Sequence, residues 1–470
     1  MFERARVFRV TTLASALLLG GCMSFIPAYE RPAAPVPAAY APELTPAGAS
    51  GATAAADIEW QRFFTDARLR RLIEISLANN RDLRVAVLTI EQARASYQVK
   101  RADELPSVGA GFTAQRQPSG GSVVNSYAAG VQVTGFELDF FGRVRSLSQV
   151  ALSQYLATEE ARKTVQITLV SSVANTYVAL LADEELLRVT RETLKTRDES
   201  FKLTKLKFDN GAASELDFRQ AEQLLEGAKA TLAQTQRQRA LDENALVLLL
   251  GQALPADLPT GQTLQSQQVL TDLPAGVPSD LLTRRPDVRA AEQQLLAANA
   301  NIGAARAAFF PRISLTANAG TASTELGNLF KSGTFALTGT ATLLQPIFDA
   351  GRNQANLDVA KVNKDIAIAQ YEKAIQTAFR EVSDSLAGRA TLGEQLRAQT
   401  AQTNAAQVSF NLADLRYRNG AASYLDVLDA QRSLFSAQQG LVQVQALQAQ
   451  NLMTLYKVLG GGWTEPPKTN

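Results

Sequence analysis

Between Arg143 and Asp209 the chain runs for 67 residues without a glycine or a proline. The stretch is rich in Ala, Leu, Gln, Lys and Glu, which lose little on entering a helix. At 1.5 Å per residue, one helix of this length spans about 100 Å. No single domain core covers such a rod, so it has to pack laterally on other rods. A second stretch of the same kind runs from Arg352 to Arg418, interrupted only by Gly388 and Gly393. Any fold for this chain must house both.

The two stretches belong to a long internal repeat. At an offset of 209, residues 200–251 align with 409–460 without a gap, with 21 identities in 52 positions. Asn210-Gly211-Ala212-Ala213-Ser214 returns as Asn419-Gly420-Ala421-Ala422-Ser423, and Gly142-Arg143 returns as Gly351-Arg352. Further upstream the offset is 205, pairing Asp82-Leu83-Arg84 with Asp287-Val288-Arg289. Self-similarity over such a span says that one unit is used twice.

Each unit has the same order. A helical stretch (80–105, 287–310) ends before a proline. Two runs of strand character follow: Ser107–Gln115 and Tyr127–Leu138, then Ile313–Gly320 and Thr334–Leu344. The long helix comes next. The Asn-Gly turn closes it, with Ser214 or Ser423 as N-cap of a returning helix over 212–250 or 421–459. The returning helix (about 58 Å) and the helix before the strands (about 39 Å) together nearly equal the long one. Two shorter helices are therefore expected to stack end to end beside each long helix.

The strand runs are 8–12 residues long, which suits tilted membrane-spanning strands, and they alternate imperfectly. Four strands cannot close a barrel around a pore, and open edges cannot stand in hydrocarbon. Several chains must pool their strands. Two chains give eight, which side chains would fill. Three give twelve, enough for a lumen, with twelve helical rods below.

Composition excludes other chemistry. The chain has no histidine and one cysteine, so the commonest base and metal ligand are missing and no internal disulfide is possible. Neither a Walker loop nor a nucleophile elbow nor HExxH occurs, so no catalytic, cofactor-binding or metal residues are assigned. Acid pairs such as Asp183/Glu184 read as solvated helix faces. The N-terminus is "MFERARVFRVTTLASALLLGGC", a basic region followed by an apolar run too short to span a bilayer, as in a secretory leader. The run ends in Leu19-Gly20-Gly21-Cys22, similar to a lipobox, which makes Cys22 the expected lipidation site; an ordinary leader is the alternative. Without the charged leader residues Glu3, Arg4, Arg6 and Arg9, the chain carries 44 basic and 44 acidic side chains. That neutrality argues against nucleic acid as a partner. The organisation read from this is a signal peptide (1–21), a Pro/Ala-rich lipidated tether (22–57), a first repeat (58–251), an equatorial linker (252–283), a second repeat (284–460) and a tail (461–470).

Quoted segments carry a resemblance over essentially the whole mature chain. They are "WQRFFTDARLRRLI" (60–73), "NNRDLRVA" (79–86), "FELDFFGRVR" (136–145), "RRPDVRAAEQQL" (284–295), "FFPRISLTANAG" (309–320), "QPIFDAGR" (345–352), "LRYRNGAASYLDVLDAQRSLF" (415–435) and "LYKVLGGGW" (455–463). The chain resembles the outer-membrane efflux proteins, in their lipidated branch. The resemblance implies a mainly α fold with membrane β. A trimeric 12-stranded barrel would stand in the outer membrane, four strands from each chain, and continue into a long periplasmic α-helical barrel. It implies a non-enzymatic exit duct for small molecules such as drugs, anchored in outer-membrane lipid. The expected partners are two further copies, a periplasmic adaptor and an inner-membrane pump, commonly proton-driven. The two Asn-Gly turns become periplasmic tips that the adaptor contacts, where small residues allow close backbone approach; a plain tight turn is the alternative.

The family also implies a gate near the tips. Leu425 and Asp429 are four apart on one helix face. In a trimer they would form an apolar ring and an acidic ring that attracts cations. The first hairpin has Leu216 and Gln220 at the matching places, so the second is expected to move. Arg416 and Tyr417 are expected to hold the closed state through hydrogen bonds to a neighbouring helix. The alternative is a solvated Asp429 and a Leu425 that packs between rods. Two other functions stay open: an exit duct for type I protein secretion, and a non-channel coiled-coil envelope lipoprotein.

Overall fold

The computed structural model describes residues 24–41, 55–266 and 278–463. Cys22 and the leader lie outside the described residues. In chain order the regular elements are α1 (Trp60–Phe63), α2 (Ala67–Asn79), α3 (Arg81–Ala102), β1 (Val108–Ser119), β2 (Ser122–Glu137), α4 (Arg143–Asp209) and α5 (Glu215–Leu250). The second half holds α6 (Leu281–Arg284), α7 (Pro286–Ala307), β3 (Arg312–Ser323), β4 (Phe335–Leu344), α8 (Arg352–Arg418) and α9 (Tyr424–Val458). Both long helices are continuous, 67 residues each, with the bounds that the glycines set. Gly388 is tolerated inside α8 because a Cβ there would lie 2.3 Å from the Asn451 side chain.

Contacts divide the chain into two compact units, and each draws on both repeats. Of the described residues, the first takes 24–33, 88–160 and 289–374, and the second takes the others.

The first unit holds one antiparallel sheet in the order β1-β2-β3-β4. The first hairpin differs from expectation. Its strands do not stop at a loop over 116–126 but continue to a two-residue turn, pairing Ser119 with Ser122. Gly120 and Gly121 have φ of +57° and +85°, so both central residues take the left-handed conformation a tight hairpin turn needs. Pro118 fits inside β1 because β1 is an edge strand. The second hairpin keeps a longer loop with a 3-10 turn at Leu326–Asn328.

Register sorts the side chains by face. Thr113, Ser126, Gln132, Asn318 and Thr338 share one face with Gly111, Gly130 and Gly320. The alternate positions include Val108, Phe112, Val131, Phe335, Leu337 and Leu343, all exposed. One face is thus polar and small, the other apolar, and the edges β1 and β4 have no partner strand among the described residues.

In the same unit α7 is well packed, with Leu295 only 1% exposed and Ala300 and Ile302 buried. An extended strap runs along it. Arg306 Nη1 donates to Phe25 O at 3.3 Å, Asn299 Nδ2 to Pro27 O at 2.8 Å, and Tyr29 and Arg31 both donate to Glu292. Phe25 stacks on Phe310, which stacks on Phe141.

In the second unit, Phe63 stacks on Tyr456 at 4.0 Å beside buried Trp60 and Phe64. Two helix ends meet helix starts there, as the lengths require. Ser76 Oγ and Asn80 Nδ2 donate to Leu249 O, so the end of α5 abuts the start of α3. Gly251 sits at φ +69°, and a Cβ would lie 2.4 Å from Asn79 O. In the second repeat, Arg285 Nη1 donates to Val458 O, and Gly460 packs on Arg284 O. One sequence expectation fails in this unit: Asp183 is 6% exposed, not on a solvated face.

Candidate functional site

The two tips share one geometry because they share one sequence. At the end of α4, Ala212 N donates to Lys207 O (2.7 Å) and Gly211 N to Phe208 O (2.9 Å). At the end of α8, Ala421 N donates to Arg416 O (2.8 Å) and Gly420 N to Tyr417 O (3.0 Å). This crossed pair satisfies carbonyls that the helix end would otherwise orphan, and it needs a left-handed residue. Gly211 and Gly420 supply it, both with φ of +70°. The next helix then starts on a reciprocal cap. Ser214 Oγ accepts from Asp217 N while the Asp217 carboxylate accepts from Ser214 N, and Ser423 and Asp426 repeat the arrangement. Asn210, Gly211, Ala212 and Ser214 are exposed with Ala213 half-buried; Asn419, Gly420, Ala421 and Ser423 are exposed with Ala422 half-buried. Both tips present small side chains and open backbone.

Behind the tips the two hairpins lock together. Lys207 Nζ donates to Tyr417 OH at 2.8 Å and sits 4.5 Å from the centre of that ring. Ser200 Oγ and Tyr424 OH are 2.7 Å apart. Ala221, Tyr424, Val427 and Leu428 form a buried cluster against Phe201, Leu224, Phe410 and Tyr417. One turn farther in, Arg197 donates to Leu224 O and lies over Phe435, 5.1 Å from its centroid. Burial and the neighbouring Arg432 push the Arg197 guanidinium below its usual range.

The expected gate residues fall on different sides of this lock. Tyr417 is part of it. Leu425 is 47% exposed on α9, although Val427 and Leu428 close by along the helix are buried. Asp429 is exposed one turn on and pairs with Arg432 at 2.8 Å. Arg416 turns back to its own tip, donating to Ala421 O at 3.3 Å. In the first hairpin Leu216 is exposed like Leu425. The sequence signals Ser200 and Lys207 through the spacing of Arg197, Ser200, Thr204 and Lys207, a polar stripe at helical period on one face of α4, and holds no such signal for Tyr424 on α9.

Comparisons with known proteins agree with one another. The family model described as "Outer membrane efflux protein" matches residues 72–252 and 277–461, close to the two repeats. The toluene efflux pump outer membrane protein TtgC of Pseudomonas putida is 50% identical over 461 residues, covering 96% of this chain and 95% of its own. Outer membrane protein OprJ of Pseudomonas aeruginosa is 45% identical over 471 residues, covering 98% and 97%. Among solved structures, the open state of the Neisseria gonorrhoeae MtrE outer membrane channel superposes with a TM-score of 0.87 at 41% identity, covering 94% of this chain and 99% of that one.

Proposed function

The chain belongs to the outer membrane efflux protein family, and from that premise we propose that three copies close into the exit duct of a tripartite export pump. The sheet carries the reading. Its polar face suits water, its apolar face suits lipid, and its two bare edges need strands from elsewhere. Three copies supply twelve strands and leave a lumen between the polar faces. No enzymatic step is assigned to the chain; its work is passage.

Cys22 is lipidated in this reading and holds the tether at the outer membrane. The six tips of a trimer, Asn210–Ser214 and Asn419–Ser423 from each chain, receive a periplasmic adaptor, which joins the duct to a proton-driven inner-membrane pump. Their open backbone and small side chains leave room for that contact. Leu425 and Asp429 line the narrow end, where exposure on α9 leaves both side chains available to a central aperture. Tyr417, held by Lys207, keeps the second hairpin against the first. Arg416 braces the turn of the tip. The cargo is a small molecule, such as the toluene named for the Pseudomonas putida relative. Specificity belongs to the pump, and the duct serves as a shared passage.

Planar-bilayer recording on the purified protein tests this reading. Discrete, cation-preferring conductance steps are expected. A protein that inserts with its sheet folded and passes no current contradicts the duct.

A further inference from the structure

Asp183 and Glu184 are neighbours on α4, yet they have opposite surroundings. Glu184 is exposed and pairs with Arg239 of α5 at 3.4 Å. Asp183 is 6% exposed, and its Oδ2 is buried with no donor reaching it. A buried carboxylate without a donor is costly to keep ionised. What meets it is a second carboxyl, Asp242 of α5, one turn along from the Arg239 that pairs with Glu184 and close enough to share a hydrogen bond. Two carboxylates cannot form that bond unless one carries a proton.

We propose that Asp183 and Asp242 form a proton-binding site that adds a tie between the two helices of the first hairpin in acid and loses it in base. The proton sits between the two carboxyls and serves as the donor that Asp183 otherwise lacks. Burial first, and the Asp242 hydrogen bond second, push the Asp183 carboxyl up to about 7. The charges that face it are Asp242 and Arg239 from α5 and Glu184 from its own helix. Arg239 is also held by Glu184 and by Glu243 at 2.8 Å, so its pull on Asp183 is shared among acids. The helix α2 brings Asp66 into hydrogen-bond contact with Tyr177 of α4, and Arg68 stands beside that pair. The helix α9, which reaches α4 through Gln450 and Asn175, carries no charged residue between Arg432 and Lys457.

The second hairpin shows the neutral form of the same device. At the repeat offset, Asn451 stands where the first hairpin has Asp242, and Leu392 stands where it has Asp183. Asn451 Nδ2 donates across to Ser385 O at 3.0 Å. An amide donates at every pH, whereas an acid pair donates only while it holds its proton. At this level of the hairpin the first repeat therefore has a pH-dependent tie where the second has a permanent one.

The direction follows from linkage. The folded Asp183 holds its proton to a higher pH than an unfolded aspartate, which releases it near 4. The stabilising contribution of the pair is complete below about pH 4 and is lost as pH rises through about 7. This site rests on the pairing of α4 and α5 alone, so its failure would leave the duct reading standing.

The test is thermal unfolding of the full detergent-solubilised protein at about pH 5 and about pH 9, with the infrared spectrum followed between them. The parent is expected to lose about 2–4 °C on going to the higher pH. It should also show a protonated-carboxyl stretch that bleaches near neutrality. Asp183→Asn and Asp242→Asn should each remove that band and at least halve the pH-dependent loss. Variants that keep both the band and the full loss overturn the proposal. So does a parent with no carboxyl band titrating anywhere between the two pH values, a result that needs no variant.

Discussion

The helices α3 and α7 occupy the same place in the two repeats and have opposite surroundings. Along α7, Leu295, Ala300 and Ile302 are buried, and the strap from Phe25 to Arg31 is held on the face of Leu295 and Ile302 through Glu292, Asn299 and Arg306. Along α3 only Leu83 is buried. Val85, Leu88 and Val99 are 61%, 51% and 63% exposed, and with Ala95 they follow helical spacing on one face. An apolar stripe of this kind in water marks a surface waiting for a partner. The helix after the second β-hairpin tells the same story, with Val359, Val362 and Ile366 of α8 exposed. The repeat supplies the partner by analogy. As α7 packs beside the start of α4 within the chain, α3 of one copy is expected to pack beside the start of α8 of the next. The exposed Leu88, Val99, Val359, Val362 and Ile366 fall in the same compact unit as the bare sheet edges, so one ring of copies satisfies both.

The sharpest way to break this comparison is to charge the bare face. Leu88→Asp with Val99→Asp should be nearly silent in a chain that works alone, as surface changes usually are. In a ring it buries two carboxylates per interface, and the assembled particle should give way to single chains on size exclusion. An unchanged elution volume means that α3 faces solvent. The buried counterpart should respond differently. Leu295→Ala leaves a cavity in packing internal to each chain and should cost about 2–5 kcal/mol, read as a lower unfolding midpoint in denaturant. Loss of assembly without loss of midpoint would reverse the roles of the two helices.

A smaller effect separates the two hairpins. Leu425→Ala combined with Asp429→Ala, recorded in planar bilayers, should raise resting conductance and weaken cation preference. The matching change in the first hairpin, Leu216→Ala with Gln220→Ala, should leave both nearly as they are. Equal responses from the two pairs would remove the asymmetry assigned to the second hairpin.

Much of this organisation was legible in the sequence because it rests on local rules. The bounds of α4 and α8 follow from glycine and proline placement, and Ser214 and Ser423 cap the helices as their side-chain chemistry demands. The end-to-end meeting of α5 with α3 follows from counting residues at a fixed rise. The extent of β1 and β2 did not, because Pro118 and two glycines read as a loop until β1 is known to be an edge. The burial of Asp183 was hidden for a related reason: a single chain position does not say which helix lies across from it, and Glu184 next door is indeed solvated. The lock of Lys207 on Tyr417 joins residues 210 positions apart. Only the packing of two hairpins brings them together.

Light scattering corrected for bound detergent bears most directly on the ring. A particle containing three chains is expected, with α3 and both sheet edges covered by neighbours. A stable single chain that keeps its four-stranded sheet would contradict it.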